Sequence, residues 1–147
     1  MTTAGPPDFG FSPVANQFRG AEGFSLILDR YELRRGESLV ATVQVSDASL
    51  ITGAFELGLV CTERWADFHH HARSDMRDHR QTYEERIYQW WLPLDRSQPR
   101  TDLTLPVVPE APFSHVGTAL SFLWTVTARD RRSGFDKLER HDLTVLP

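Results

Sequence analysis

The residues with the clearest capacity for chemistry are the histidines of one polar stretch. His69, His70 and His71 are consecutive, His79 follows them, and Asp75 lies between. Imidazole and carboxylate groups are ligands that zinc, nickel and copper take in proteins. If the stretch were helical, His71 and Asp75 would stand one turn apart on one face. If it were a strand, His69 and His71 would share a side.

The same stretch has a plainer interpretation as a solvated polar loop. It contains neither the His-Glu-x-x-His spacing nor a Cys-x-x-Cys pair, and a short His-rich tract is only a compositional hint of metal binding. Imidazoles among acids also titrate near neutral pH. The solvated loop is the favoured interpretation. The alternative hypothesis is a metal- or pH-responsive site formed by His69, His71, Asp75 and His79.

The other reactive side chains do not form a catalytic group. Ser114 and His115 are neighbours, and adjacent side chains of an extended backbone point apart, so they cannot act as nucleophile and base. Glu84 and Glu85 face opposite sides of a strand for the same reason. Cys61 keeps the phase of an apolar alternation, which predicts a buried and inert thiol. With no Gly-rich phosphate loop either, the sequence predicts a protein that is not an enzyme and uses no cofactor.

Aromatic residues between 83 and 91 are the best candidates for a binding surface. Tyr88 and Trp90 have one parity, whereas Tyr83, Ile87 and Trp91 have the other. A strand that is aromatic on both faces must bury both or expose one, and Tyr and Trp are enriched at protein interfaces. We therefore predict that Tyr83, Tyr88, Trp90 and Trp91 contact a protein partner. The alternative is that an N-terminal arm or a long loop covers this strand.

Charge and cysteine content narrow the class of protein. The chain has 147 residues, a net charge of −4 and one cysteine, which fits one domain without an internal disulfide. Its short basic clusters are interrupted by acids, so a nucleic-acid partner is not expected. The start of the chain lacks the features of a secretory signal, and no apolar run could span a bilayer. We expect a cytoplasmic protein that binds another protein or a second copy of itself.

The elements that must position these residues are β-strands. Apolar residues alternate with polar ones in seven runs separated by turns, which predicts an all-β fold, an antiparallel immunoglobulin-like β-sandwich. The runs are Phe24 to Leu28, Leu39 to Val45, Phe55 to Cys61, Thr82 to Leu92, Leu103 to Val107, Leu120 to Ala128 and Leu143 to Leu146.

The rest of the chain divides around these strands. Residues 1–22 are rich in Gly and Pro and carry Phe9, Phe11 and Phe18, which predicts a flexible arm that could lie across the sandwich or reach a partner. Residues 23–147 form the predicted sandwich domain. Within that domain, about 64–80 is predicted to be a polar connection, because its dense Asp, His and Arg leave no apolar stripe.

Three motifs in order resemble those of arrestin-like β-sandwiches, the fold shared by arrestins, a retromer subunit and bacterial sporulation-control proteins of the Spo0M type. The first is a turn at Arg35-Gly-Glu37 before a strand from Leu39 to Val45. The second is the strand Leu57-Gly-Leu-Val-Cys-Thr-Glu63. The third is a Pro-rich crossing with Leu105-Pro106, Pro112, Ser114 and Gly117, which leads into Trp124-Thr-Val126.

The resemblance implies a non-enzymatic scaffold or adaptor that works through protein–protein contacts. It covers about residues 24–146. Arrestins have two such sandwiches in tandem, whereas this chain has room for one, so the resemblance carries over the fold and no receptor, phosphate or membrane site.

Overall fold

The fold of the chain is seen in a computed structural model that describes residues 21–69 and 79–147, with side chains for all of these except 67–69 and 79–81. The described part contains nine strands and one short 3-10 helix at Ala48–Leu50. The strands are β1 (Phe24–Leu28), β2 (Glu32–Arg34), β3 (Ser38–Val45), β4 (Ala54–His69), β5 (His79–Pro93), β6 (Arg100–Pro106), β7 (His115–Val116), β8 (Leu120–Arg131) and β9 (Lys137–Leu146).

The strands form two sheets. The large sheet has the order β2–β9–β8–β4–β5, with β7 pairing beside β8, and the small sheet has the order β1–β3–β6. All pairings are antiparallel except that of β2 with β9. The predicted all-β sandwich is confirmed. Strands β2 and β7 were not predicted, because two or three residues are too few to show an alternation.

The core lies between the two sheets and is built from the predicted alternations. Side chains of one parity point inward and are buried, and each such burial stabilises the fold by about 1.5–3 kcal/mol. The largest buried side chain is Trp124 of β8. Its neighbours include Leu26, Leu39, Ala41, Val43, Leu57, Leu59, Cys61, Leu105, Val126, Ala128 and Val145.

The Pro-rich crossing closes one side of this core. The indole Nε1 of Trp124 donates to the carbonyl of Pro112 at 2.8 Å, so the buried indole N–H has an acceptor. The hydroxyl of Ser114 accepts from the amide of Val145 at 2.8 Å. At this point β9 no longer pairs with β8, because their register ends at Leu143. Gly36 adopts a φ of 86°, which suits glycine, and its amide donates to Val107 at 2.7 Å.

The hairpin of β4 and β5 is longer than predicted. The predicted polar connection over 64–80 is wrong at both ends, because β4 continues to His69 and β5 begins at His79. Cross-strand pairs sustain this part of the hairpin although it lacks an apolar alternation. Arg64 pairs with Glu84 at 2.6 Å, and the rings of Trp65 and Tyr83 stack with centroids 5.6 Å apart.

A β-bulge divides β5 into two parts. Cys61 lies opposite Tyr88 and Thr62 lies opposite Arg86, which leaves Ile87 as the extra residue of β5. Because a bulge adds one residue to one strand, it reverses the parity of that strand beyond it. The predicted division by parity holds for Tyr88, Trp90 and Trp91, but it is wrong for Tyr83, which shares the core-facing side with Tyr88.

The N-terminal prediction lies outside the described residues. The structure describes the chain from Ala21, so the arm over residues 1–22 and its boundary with the domain at 23–147 stay predictions. Among the described residues, no helix is long and apolar enough to cross a membrane.

Candidate functional site

Strand β5 lies at the edge of the large sheet. Among the described residues it pairs only with β4, and its fifteen residues exceed the usual strand length of about 5–6. An edge strand presents backbone N–H and C=O groups that can pair with another chain. Bulges and prolines discourage such pairing, and β5 has its bulge at Ile87 and ends at Pro93. The regular segment on the far side of the bulge, from His79 to Arg86, contains neither a bulge nor a proline.

Three of the four predicted contact residues lie on the core-facing side, and two of them, Tyr88 and Trp90, pack against the core. Tyr88 lies opposite Cys61, and its ring centroid is 5.5 Å from that of Trp124. Trp90 lies opposite Leu59. Both side chains are half-buried and pack against the core. Their rings therefore hold β5 to the sandwich.

Trp91 lies on the outer face of the large sheet and is held there. A Cβ atom at Gly58 would meet the Trp91 ring at 2.3 Å, so the indole covers a position where no side chain is present. The guanidinium of Arg129 lies 3.5 Å from the ring centroid and also pairs with Glu56 at 2.8 Å. The indole Nε1 donates to Gln89 at 3.1 Å. A cation–π contact and a packed glycine thus fix Trp91.

Tyr83 belongs to a row of apolar side chains beyond the core. Trp65 of β4 lies opposite Tyr83 on one side and Leu120 of β8 on the other. The three share the core-facing side of the sheet, yet none is among the residues that pack on the core. Tyr83 is 40% exposed and Leu120 is 36% exposed. We call Tyr83, Trp65 and Leu120 the distal row.

Two glutamates lie next to the distal row on the same face. Glu63 of β4 is directly opposite Glu85 of β5. Glu63 precedes Trp65 by two residues, and Glu85 follows Tyr83 by two residues. The described residues contain no ion pair to either carboxylate. Like charges directly opposite each other on a sheet are destabilising. Sequence reasoning missed this pair, since only the register across the bulge reveals it.

The predicted inert cysteine is confirmed as a buried group. Cys61 is fully buried between the sheets. Burial, followed by the charge of Glu63, raises the pKa of its thiol to about 12. A thiol with this pKa supplies almost no thiolate near neutral pH, so it is no nucleophile. Ser114 likewise bonds to the backbone of β9, at Leu143 and Val145, rather than to a catalytic base.

The histidine tract falls mostly outside the described residues. His69 lies opposite His79 in the backbone register at the far end of the hairpin, but their side chains are not described. His71 and Asp75 belong to 70–78, which the structure does not describe. The side chains that are described include no group of three His, Cys, Asp or Glu residues that could hold a metal ion. The alternative site stays a prediction.

The two-sheet arrangement, the Gly36 turn and the Pro-rich crossing define the arrestin-like β-sandwich. Among solved structures, the chain is similar to the crystal structure of Spo0M, a sporulation control protein from Bacillus subtilis, with a TM-score of 0.51 and 18% sequence identity. The match covers 88% of this chain and 51% of that one. This likeness confirms the predicted arrestin-like fold, and the chain spans about half the length of its match.

The sequence comparisons add no relative to this structural one. No family model matches the chain, and no curated protein matches it.

Proposed function

We propose that the protein is a non-enzymatic adaptor, located in the cytoplasm, that binds a protein partner along β5 and the distal row. The observation that carries the proposal is the exposure of Tyr83 and Leu120 on a sheet face that continues beyond the core. Aromatic side chains exposed beside an open strand edge suit both ways in which sandwiches recruit partners, namely side-chain contact and strand addition.

Contacts within the chain narrow the predicted surface. Tyr88, Trp90 and Trp91 each have packing partners that hold β5 in place. Tyr83 stacks on Trp65 and still keeps much of its surface exposed. A partner therefore reaches the Tyr83 end of β5 most readily, and we assign the other three aromatics a supporting role. The fold of Spo0M, a sporulation control protein, is compatible with a regulatory role of this kind.

The proposal is tested by site-specific photo-crosslinking in cells that produce the protein. A photoreactive amino acid replaces Tyr83 in one variant and Gln44, an exposed residue of the small sheet, in a matched control. We expect one or a few discrete protein adducts at position 83 and none of them at position 44. Equal adducts at both positions, or none at position 83, would contradict a binding surface on β5.

The histidine alternative has a separate test. The register that places His69 opposite His79 favours a site at the end of the hairpin. A metal bound by the native state raises the unfolding midpoint, so zinc should raise the melting temperature and the double substitution His69→Ala, His71→Ala should remove that rise. An unchanged melting temperature at saturating zinc would contradict metal binding.

A further inference from the structure

The distal row and the pair of glutamates form two neighbouring rungs of one sheet face. We propose that these rungs bind an extended segment of a partner protein that carries an apolar side chain at one position and a Lys or Arg two positions away. This inference rests on the proposed adaptor function and specifies the chemistry of its partner.

The spacing of the two rungs matches an extended chain. Trp65 and Tyr83 form one rung, and Glu63 and Glu85 form the next. Side chains two residues apart on a strand share a face and lie about 6.6 Å apart along it. A partner strand that continues the sheet at β5 has the same repeat. Its apolar side chain can therefore lie against Tyr83 while its basic side chain lies against Glu85.

The charges of the two rungs select a cation. Residues directly opposite on an antiparallel pair have Cβ atoms about 4.5–5.5 Å apart, so the carboxylates of Glu63 and Glu85 repel each other. On the other face of the same hairpin, Glu84 is paired with Arg64 at 2.6 Å. The fold thus neutralises one glutamate of β5 and leaves the adjacent one without an ion pair among the described residues. A Lys or Arg from a partner relieves the repulsion.

The N-terminal arm of the same chain does not meet these requirements. Phe18 and Arg19 have suitable side chains, but the chain enters the sandwich at the opposite end, where the amides of Ser46 and Asp47 donate to the carbonyl of Gly23. From Ala54 at that end, β4 rises about 36 Å to Trp65, whereas the two residues from Arg19 to Ala21 span about 7 Å. The part of the arm that is long enough to reach, residues 1–11, contains Asp8 and no basic residue.

A second copy of the chain is also a poor match for this surface. If two β5 edges paired about a two-fold axis centred on Glu85, Glu84 would face Arg86, but Glu85 would face its own copy. A centre at Glu84 would place the two copies of that residue together. Neither of these two registers supplies a Lys or Arg to the Glu63 and Glu85 rung, which favours a segment from a different protein.

The test measures binding of short labelled peptides by fluorescence anisotropy. The probe is Ser-Thr-Phe-Thr-Lys-Thr-Ser, and two matched peptides replace Lys by Glu or place Phe and Lys at adjacent positions, which puts them on opposite faces. One protein variant carries Glu63→Gln and Glu85→Gln. The control variant carries Glu32→Gln and Glu110→Gln, two exposed glutamates that belong neither to the distal row nor to the neighbouring glutamate rung.

We expect the Lys probe to bind more tightly than either matched peptide, with an affinity that falls as salt rises. Neutralising Glu63 and Glu85 should weaken its binding about tenfold, and the control variant should bind as the unaltered protein does. The same double substitution should raise the melting temperature by about 1–3 °C, because it removes a repulsion. The double substitution is thus expected to stabilise the fold and to weaken the binding of the Lys probe.

Three results would overturn the inference. They are equal binding of the Lys and Glu peptides, an unchanged affinity after neutralisation, and self-association that the double substitution abolishes. If adducts at position 83 persist when Glu63 and Glu85 are neutralised, the adaptor function stands and the cationic partner is refuted. If position 83 gives no adduct while the Lys probe binds as described, the cationic site stands and the adaptor function fails.

Discussion

The buried carboxylate at one end of the large sheet has several donors, whereas two carboxylates at the other end lie opposite each other. At the end where β4 begins, Asp130 is fully buried and accepts from the amides of Thr52 and Gly53 at 3.0 and 2.6 Å and from Arg132 at 2.9 Å. At the other end, Glu63 and Glu85 face each other without a cation among the described residues. The first arrangement stabilises the fold, whereas like charges directly opposite each other on a sheet destabilise it.

Aromatic residues show the same contrast along β5. Trp91 is held between Gly58 and Arg129, while Tyr83 stacks on Trp65 and is 40% exposed. The half of the hairpin between the start of β4 and Cys61 is therefore the more buried one. The half beyond the bulge at Ile87 is more exposed, so we expect substitutions there to cost less stability.

The largest effect should come from Asp130→Ala. This change leaves the amides of Thr52 and Gly53 and the guanidinium of Arg132 without their common acceptor. We expect the free energy of unfolding to fall by about 2–4 kcal/mol, measured by urea denaturation. Asp136→Ala, in the exposed turn before β9, is the control and should change it by less than about 0.5 kcal/mol. Equal effects would show that Asp130 is not a structural acceptor.

Gly58→Ala should be the next most damaging change. The added Cβ would lie 2.3 Å from the Trp91 ring, so the indole must leave its place beside Arg129. We expect a loss of about 1–3 kcal/mol from overpacking. In a Trp91→Ala background the obstacle is gone, and the same substitution should cost much less. Additive losses in a double-mutant cycle would contradict the close packing of these two residues.

Acid should weaken the Asp130 end. Burial raises the pKa of Asp130, but the hydrogen bonds from Arg132, Thr52 and Gly53 and the charge of Arg132 outweigh it, so the pKa lies below the ordinary 3.8. A depressed pKa contributes stability that is present above the unfolded value and is lost as pH falls through the folded one. The stability difference between the unaltered protein and Asp130→Ala should therefore shrink below about pH 4. A pH-independent difference would contradict this assignment.

The smallest effect on folding should come from Tyr83→Ser. Tyr83 lies beyond the core and its main described contact is the stack on Trp65, so we expect the free energy of unfolding to fall by about 1 kcal/mol or less. Tyr88→Ser, which removes a ring packed against Trp124, should cost about 2–3 kcal/mol. Urea denaturation of the two variants compares the halves of β5 directly. A larger loss for Tyr83→Ser would place that residue in the core and not on a binding surface.

Alternation predicted the elements of the fold that bury one face against a core. It predicted a strand from Leu120 to Ala128, and the structure places Phe122, Trp124, Val126 and Ala128 on the inner face of β8. Ser114, in the Pro-rich crossing that the sequence resemblance identified, bonds to the backbone of β9. These features depend on a side-chain period of two or on local turn chemistry. Both can be recognised in short stretches of sequence.

The candidate surface could be predicted only in part, because it depends on pairing between distant strands. The aromatic residues of β5 were found by composition, but the bulge at Ile87 that sets their faces exists only relative to β4. The opposition of Glu63 and Glu85 follows from that register. The length of the hairpin was missed because an ion pair and a ring stack support it in place of an apolar stripe.

The order of strands in the large sheet has a consequence for protein synthesis. β4 and β5 are successive in the chain and can pair as soon as both exist, but β2 must wait for β9, its parallel neighbour. Arg34, at the end of β2, also donates to the carbonyl of Pro147, 113 residues further along. Contacts this distant in sequence form late and slow the folding of a domain. A nascent chain that stops before β8 would display Trp65 and Tyr83 without Leu120, so a ribosome-bound hairpin presents only part of the row.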